Sequence, residues 1–224
     1  MIKPVKSLFI IPILTFCYPV TAIFSQSDVE APVQIRLTVD RNTQKARIYW
    51  SMQNTNEISK YKLVEYDFEE DKEFDREDIS FPDTNNFIIQ NSSPADGRVA
   101  YAIRAIDNDL NQSQRSGYHA TIHLDAVADS CNTLVNLEWT SYNFSNGTYD
   151  FGWETAVAKY EIYRKITEND AGFVYVGVVP GNITSFTDTR FFTGPDDSFF
   201  SKKIYLVRAV KSTDASVYAD SNTD

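Results

Sequence analysis

Cysteine, histidine and glycine are scarce in this chain of 224 residues, which holds two Cys, two His and eight Gly. So few thiols and imidazoles cannot build a repeated zinc framework or a disulfide scaffold. No Gly-x-Ser-x-Gly elbow, His-Glu-x-x-His pair or phosphate-cradling Gly-rich loop occurs, so no familiar catalytic motif is present. Basic charge is short as well: 21 Lys and Arg stand against 31 Asp and Glu, a formal net charge of −10. A nucleic-acid binder needs clustered positive charge to neutralise phosphates, and that class is set aside. No apolar run approaches the ~20 residues of a membrane-spanning helix. What the chain does have is 42% apolar and 14% aromatic residues, too many for a mostly disordered polypeptide.

The N-terminus reads as an address. Lys3 and Lys6 precede an apolar run from Leu8 to Tyr18, and Val20-Thr21-Ala22 places small residues at the −3 and −1 positions of a cleavage site. This order defines a secretory signal peptide over residues 1–22, cut after Ala22 and followed by a linker over 23–32. Lipidation at Cys17 is the rival reading, and bulky Phe16 argues against it. The expected location is secreted, on the outer cell surface, without a membrane-spanning segment.

The remainder is one pattern written twice. Ala46-Arg47-Ile48-Tyr49-Trp50 and Val135-Asn136-Leu137-Glu138-Trp139 alternate apolar and polar residues and end in Trp. Such alternation predicts a strand with one buried face. Tyr61-Lys62-Leu63-Val64 and Tyr160-Glu161-Ile162-Tyr163 follow as further strands, and Tyr101-Ala102-Ile103-Arg104-Ala105 matches Tyr205-Leu206-Val207-Arg208-Ala209. Turn signals such as Ser93-Pro94-Ala95-Asp96-Gly97, Ser145-Asn146-Gly147 and Pro180-Gly181-Asn182 separate them, and no helical apolar stripe appears. The fold class is therefore all-β, as two tandem antiparallel sandwiches over 33–121 and 122–224.

These residues resemble the fibronectin type III domain, an Ig-like architecture. The resemblance makes Trp50 and Trp139 core tryptophans, Tyr61 and Tyr160 the tyrosines opening the next strand, and Tyr101 and Tyr205 tyrosine-corner residues whose hydroxyls bond back to the main chain. Thr184-Ser185-Phe186-Thr187-Asp188-Thr189 looks like the strand E segment of bacterial copies. More narrowly, the stretch from Gly117 to Asn132 is similar to the seam between tandem modules in gliding motility-associated surface proteins exported by type IX secretion. Those proteins often carry a C-terminal sorting domain, which is not found before Asp224, so a fragment or a variant is expected. They also often pair a cysteine at the Cys131 position with one in the preceding loop. Here that loop reads Asp107-Asn108-Asp109-Leu110-Asn111, so the resemblance implies a missing seam disulfide and a looser junction.

Few residues are candidates for chemistry. The run Glu65 to Asp78 is dense in acids, and Asp67, Glu69 and Asp71 fall at positions 1, 3 and 5 of an EF-hand-like loop. Carboxylates are hard oxygen ligands suited to weak Ca²⁺ binding. Lys72 stands where the sharp turn needs Gly, however, and a solvated loop shielding an edge strand is the plainer expectation. Asp107 and Asp109 form a second oxygen-rich loop, equally consistent with ordinary turn chemistry. His119 and His123 in an extended segment sit ~13 Å apart and cannot share a metal. Cys131, the thiol left after signal removal, reads as a small buried or simply exposed residue. No cofactor is expected. Tyr142, Phe144, Tyr149 and Phe151 near Trp153, with the Phe191-Phe192 pair, either fill the core or offer flat faces for sugar stacking, and Tyr149 and Phe192 are the candidate ligand contacts. Two functions follow. The first is a non-catalytic spacer or adhesion segment of a larger surface protein. The second is a carbohydrate-binding accessory module, so the expected partner is a protein or polysaccharide surface.

Overall fold

The computed structural model describes residues 29–52, 58–80, 85–165, 172–189 and 203–223. The signal peptide over 1–22 and Phe191, Phe192, Phe199 and Phe200 lie outside the described residues.

Every regular element described is a strand. In the first half these are β1 (Val33–Val39), β2 (Ala46–Ser51), β3 (Ile58–Asp67), β4 (Lys72–Ser80), β5 (Asn86–Ile88), β6 (Ala100–Asp107) and β7 (His119–Ala120). They form a sheet of order β1-β2-β5 and a facing sheet of order β4-β3-β6-β7. The second half has β8 (Leu124–Asp129), β9 (Leu134–Trp139), β10 (Phe144–Ser145), β11 (Asp150–Phe151), β12 (Val157–Lys165), β13 (Val174–Pro180), β14 (Ser185–Asp188), β15 (Ile204–Lys211) and β16 (Tyr218–Asp220). Its sheets, β14-β9-β8 and β13-β12-β15-β16, repeat the first pair strand for strand, with all partners antiparallel. The β10–β11 hairpin is extra. The chain is thus two antiparallel β-sandwiches of fibronectin type III-like architecture.

Period-two alternation explains each core. Ala46, Ile48 and Trp50 of β2 face Tyr61 and Leu63 of β3 and Tyr101, Ile103 and Ala105 of β6 in the first sandwich. Val135, Leu137 and Trp139 of β9 face Tyr160, Ile162, Tyr205, Val207 and Ala209 in the second. The indoles meet tyrosine edges in equivalent places, Trp50 on Tyr61 at 5.1 Å and Trp139 on Tyr160 at 5.4 Å. Edge-on geometry places the positive ring rim against a negative ring face.

Three sequence expectations need correction. The acidic run is not a loop: a turn over 68–71 closes a β3–β4 hairpin, and half of the run lies in β4, the edge of its sheet. Cross-strand pairing lets so charged a segment stay extended, with Lys60 and Lys62 both on Asp78 and Arg76 Nε on Glu65 at 2.5 Å. The Tyr205 hydroxyl donates not to the main chain but to Asp188 Oδ2 of β14 at 3.0 Å, where Arg164 Nη1 also binds at 2.8 Å. The junction, lastly, is not left unbridged by the missing disulfide: hydrogen bonds join the two sandwiches across it.

Candidate functional site: the seam between the sandwiches

Residues from both sandwiches converge at the junction. Thr121 is fully buried, its amide bonded to Val99 O at 2.9 Å, and the next residue, Ile122, enters the second core. A connector held at both ends leaves little freedom to swing, and side chains then fix what remains.

At the centre sits Tyr142, fully buried. Its hydroxyl accepts the Leu37 amide of β1 at 3.0 Å and lies 2.7 Å from His119 Nδ1. The hydroxyl can give its proton to an unprotonated Nδ1 or accept from Nδ1–H, so the pair suits either tautomer of a neutral imidazole. Burial, with a smaller push from Lys211, holds His119 down at about 3. Beside it Trp153 Nε1 donates to Ile35 O at 2.9 Å, and the two rings lie 4.3 Å apart.

On one flank the β10–β11 hairpin lies over the outer face of β3, β6 and β7. Alanines at 100, 102 and 120 keep that face low, and Phe151 packs there with Val64, Tyr66 and Tyr118. Phe144 stacks on Phe151 at 4.5 Å and 4° between planes. The Gly152 amide bonds to Tyr118 O at 2.9 Å. Gly152 has φ +97°, and a Cβ there would stand 2.6 Å from Tyr142 O, so glycine is required. Asn146 Nδ2 donates to the Tyr66 hydroxyl at 2.5 Å, and that hydroxyl donates to Asp71. Arg115 lies 4.3 Å from the Tyr118 ring and 4.8 Å from the Tyr149 ring while its Nε holds Glu73 at 2.8 Å. Burial alone would push the Glu73 carboxyl up, but Arg115 overrides it and holds it below the usual range.

On the opposite flank β1 and β16, edge strands of different sandwiches, run side by side. Thr38 Oγ1 accepts the Asp220 amide at 2.7 Å, and Arg36 Nη1 donates to Tyr218 O at 2.9 Å. Arg36 lies between the rings of Tyr49 at 4.1 Å and Tyr218 at 4.8 Å; Arg208 covers the other neighbours, Tyr218 at 3.8 Å and Tyr163 at 5.3 Å. Such cation–π stacking contributes about 0.5–2 kcal/mol per contact, more as water is excluded.

The residues singled out from sequence fall as follows. Trp50, Trp139, Tyr61, Tyr101, Tyr160 and Tyr205 are all buried in the two cores. Tyr149 is partly buried at the seam, with its ring against Tyr66 and Tyr118 at 5.5 Å each. Asp67 Oδ1 accepts the Glu69 and Glu70 amides, Asp71 is engaged by Tyr66, and Glu69 is exposed, which makes this a turn and not a converging ligand shell. Asp107 likewise accepts Asn111 Nδ2 and the amides of Asp109 and Asn111, which hold its carboxyl below the usual range. Among the described residues no three His, Cys, Asp or Glu side chains gather as for a metal. His123 reaches Pro94 O at 3.0 Å, and Cys131 is an exposed thiol. Among the described residues no helix is long and apolar enough to cross a membrane.

Sequence reading missed Tyr142 as the hub and the arginines as stacked partners. The available signal was the aromatic alternation from Tyr142 to Trp153, which has no counterpart in the first copy.

No family model matches the chain, and no curated protein matches it in sequence. A solved structure that it resembles is the chicken interferon gamma receptor alpha chain, at 13% identity over 88% of this chain and 97% of that one, with a TM-score of 0.32. A likeness at that level carries no argument about function.

Proposed function

We propose that the chain is a non-catalytic, exported surface segment: two fibronectin type III-like modules, over 33–121 and 122–224, that act as one rigid body holding a fixed angle between whatever lies at either end. The observation that carries this reading is the seam. Tyr142, Asn146, Trp153 and Thr38 each bond across it, so the polar groups gathered there serve to bridge modules. Export rests on the order of Lys3, Lys6, the apolar run and Ala22. Display by a gliding-associated, type IX-secreted surface protein is the finer form of the proposal and rests on the resemblance of the seam sequence.

Surface labelling of intact cells, followed by N-terminal sequencing of the recovered protein, tests it. The expected product is labelled from outside and begins at Ile23. A product that retains Met1 and is labelled only after lysis contradicts the proposal.

A further inference from the structure

The β1/β16 flank holds a cleft of about 310 Å³, and its walls are unusual for so acidic a chain. Four guanidinium groups line it, Arg36, Arg41, Arg47 and Arg208, with two carboxylates, Asp40 and Asp220. The wall therefore carries a surplus of positive charge in a protein of net charge −10.

How those charges are arranged matters more than their number. Asp220 is shared: Arg208 grips both oxygens at 2.7 and 3.3 Å, and Arg41 binds Oδ2 again at 3.0 Å. Asp40 takes Arg47 at 2.8 Å, leaving Arg47 Nε buried without a hydrogen-bond partner. Arg36 has no carboxylate partner among the described residues; it is fixed between two tyrosine rings and gives one hydrogen bond, to Tyr218 O. A guanidinium carries five N–H donors in a rigid fork, so Arg36 presents donors that are already oriented. Stacking has removed the side-chain disorder that binding normally has to overcome. Glu161, opposite Arg208 on β12, does not cancel the surplus, because it is paired to Lys159 at 2.7 Å.

We propose that this cleft, bounded by Arg36, Arg41, Arg47 and Arg208 at the junction of the two sandwiches, binds an oxyanion: the carboxylate or sulfate group of an acidic ligand. Its walls come from both modules, Arg36, Arg41 and Arg47 from the first and Arg208 and Tyr218 from the second. An occupying anion therefore also ties the modules together. The inference stands on the cleft alone and does not depend on the protein being exported.

Isothermal titration of the full chain with sodium sulfate, a uronic-acid oligosaccharide and a sulfated oligosaccharide, each at matched ionic strength, tests it. Saturable binding of any of these is expected. Arg41→Gln, at the rim and not inserted between rings, is expected to weaken it roughly tenfold, the order of one charge-assisted hydrogen bond. Arg36→Gln should abolish it, and Arg36→Lys should retain only part. Lys72→Gln, on the exposed β4 edge, should change nothing. Equal affinity for free sulfate and for the oligosaccharides assigns the site to a free ion, and tighter binding of an oligosaccharide assigns it to a polysaccharide-borne group. No saturable binding of any probe, or binding unchanged in both Arg36→Gln and Arg41→Gln, overturns the proposal.

Discussion

His119, buried against Tyr142 Oη at 2.7 Å, is held neutral by desolvation, and this sets a pH dependence. Because burial lowers His119 from its usual 6.5 to about 3, the unfolded chain takes up the proton first as pH falls. The contribution is therefore complete above about pH 6.5 and is lost progressively toward about 3. The carboxylates held low by local hydrogen bonds, Asp107 first by the Asn111 side chain and Asp67 by turn amides, lose their contributions only around and below their ordinary 3.8. Between these ranges the difference in stability between the native chain and His119→Gln should fall as pH falls, by up to about 1.4 kcal/mol per pH unit. Urea titrations at a series of pH values check this, and a constant difference contradicts it. A second residue-scale contrast lies inside the repeat. In strand register Asp188 corresponds to Ile89 of the first copy, and Arg164 to Glu65. One sandwich thus closes on isoleucine, and the other on a buried Arg164–Asp188–Tyr205 triad. Asp188→Ala removes the buried carboxylate that Arg164 and Tyr205 both engage and should cost about 3–5 kcal/mol, whereas Asp188→Ile combined with Arg164→Met should recover most of it. Denaturation midpoints of the two variants decide the matter. The tryptophans and tyrosines of both cores were legible in the sequence because alternation fixes which face they occupy. The triad was not, since an Asp and an Arg placed 24 residues apart look like two surface residues until the sheets are stacked.

Among the elements, the β10–β11 hairpin distinguishes the two copies. Its sequence alternates as a strand of a sandwich would, yet its apolar side belongs to the neighbouring module. A single sequence cannot show to which sheet an amphipathic hairpin will give its face, which is why core filling and sugar stacking both stayed open for Tyr149. The answer is written partly in the receiving strand: β6 carries buried residues on both faces, including Ala100 and Ala102 on the outer one. Phe151→Ala should cost about 3–5 kcal/mol, as for other large buried aromatics. A double-mutant cycle with Tyr118→Ala, whose ring stacks on Phe151 at 5.6 Å, should return a coupling of about 0.5–1.5 kcal/mol. A coupling of zero would mean that the hairpin does not rest on the first module. The β4 edge shows the opposite design. Its charges, which looked like a loop or an ion site, form cross-strand pairs along an open sheet edge, where they discourage pairing with other chains.

At the scale of the whole molecule, the two sandwiches bury parts of each other that a free module would expose: the outer face of one sheet, and the adjacent edges β1 and β16. The repeat itself was plain in the sequence, because Tyr-x-(Ile/Val)-Arg-Ala recurs in order with the Trp strands. The bridged seam was not, because absence of a seam cysteine pointed to looseness while the hydrogen bonds found across it join residues more than 100 positions apart. Calorimetry of the chain should show one cooperative transition, and combining Tyr142→Phe with Asn146→Ala should resolve it into two. The most direct test of a fixed junction is the residual dipolar couplings of backbone amides in the two sandwiches, measured in one weakly aligned sample. A shared alignment tensor, equal in magnitude and orientation when each sandwich is fitted separately, is the predicted result. Distinct tensors for the two sandwiches would show that they move independently and would contradict the account.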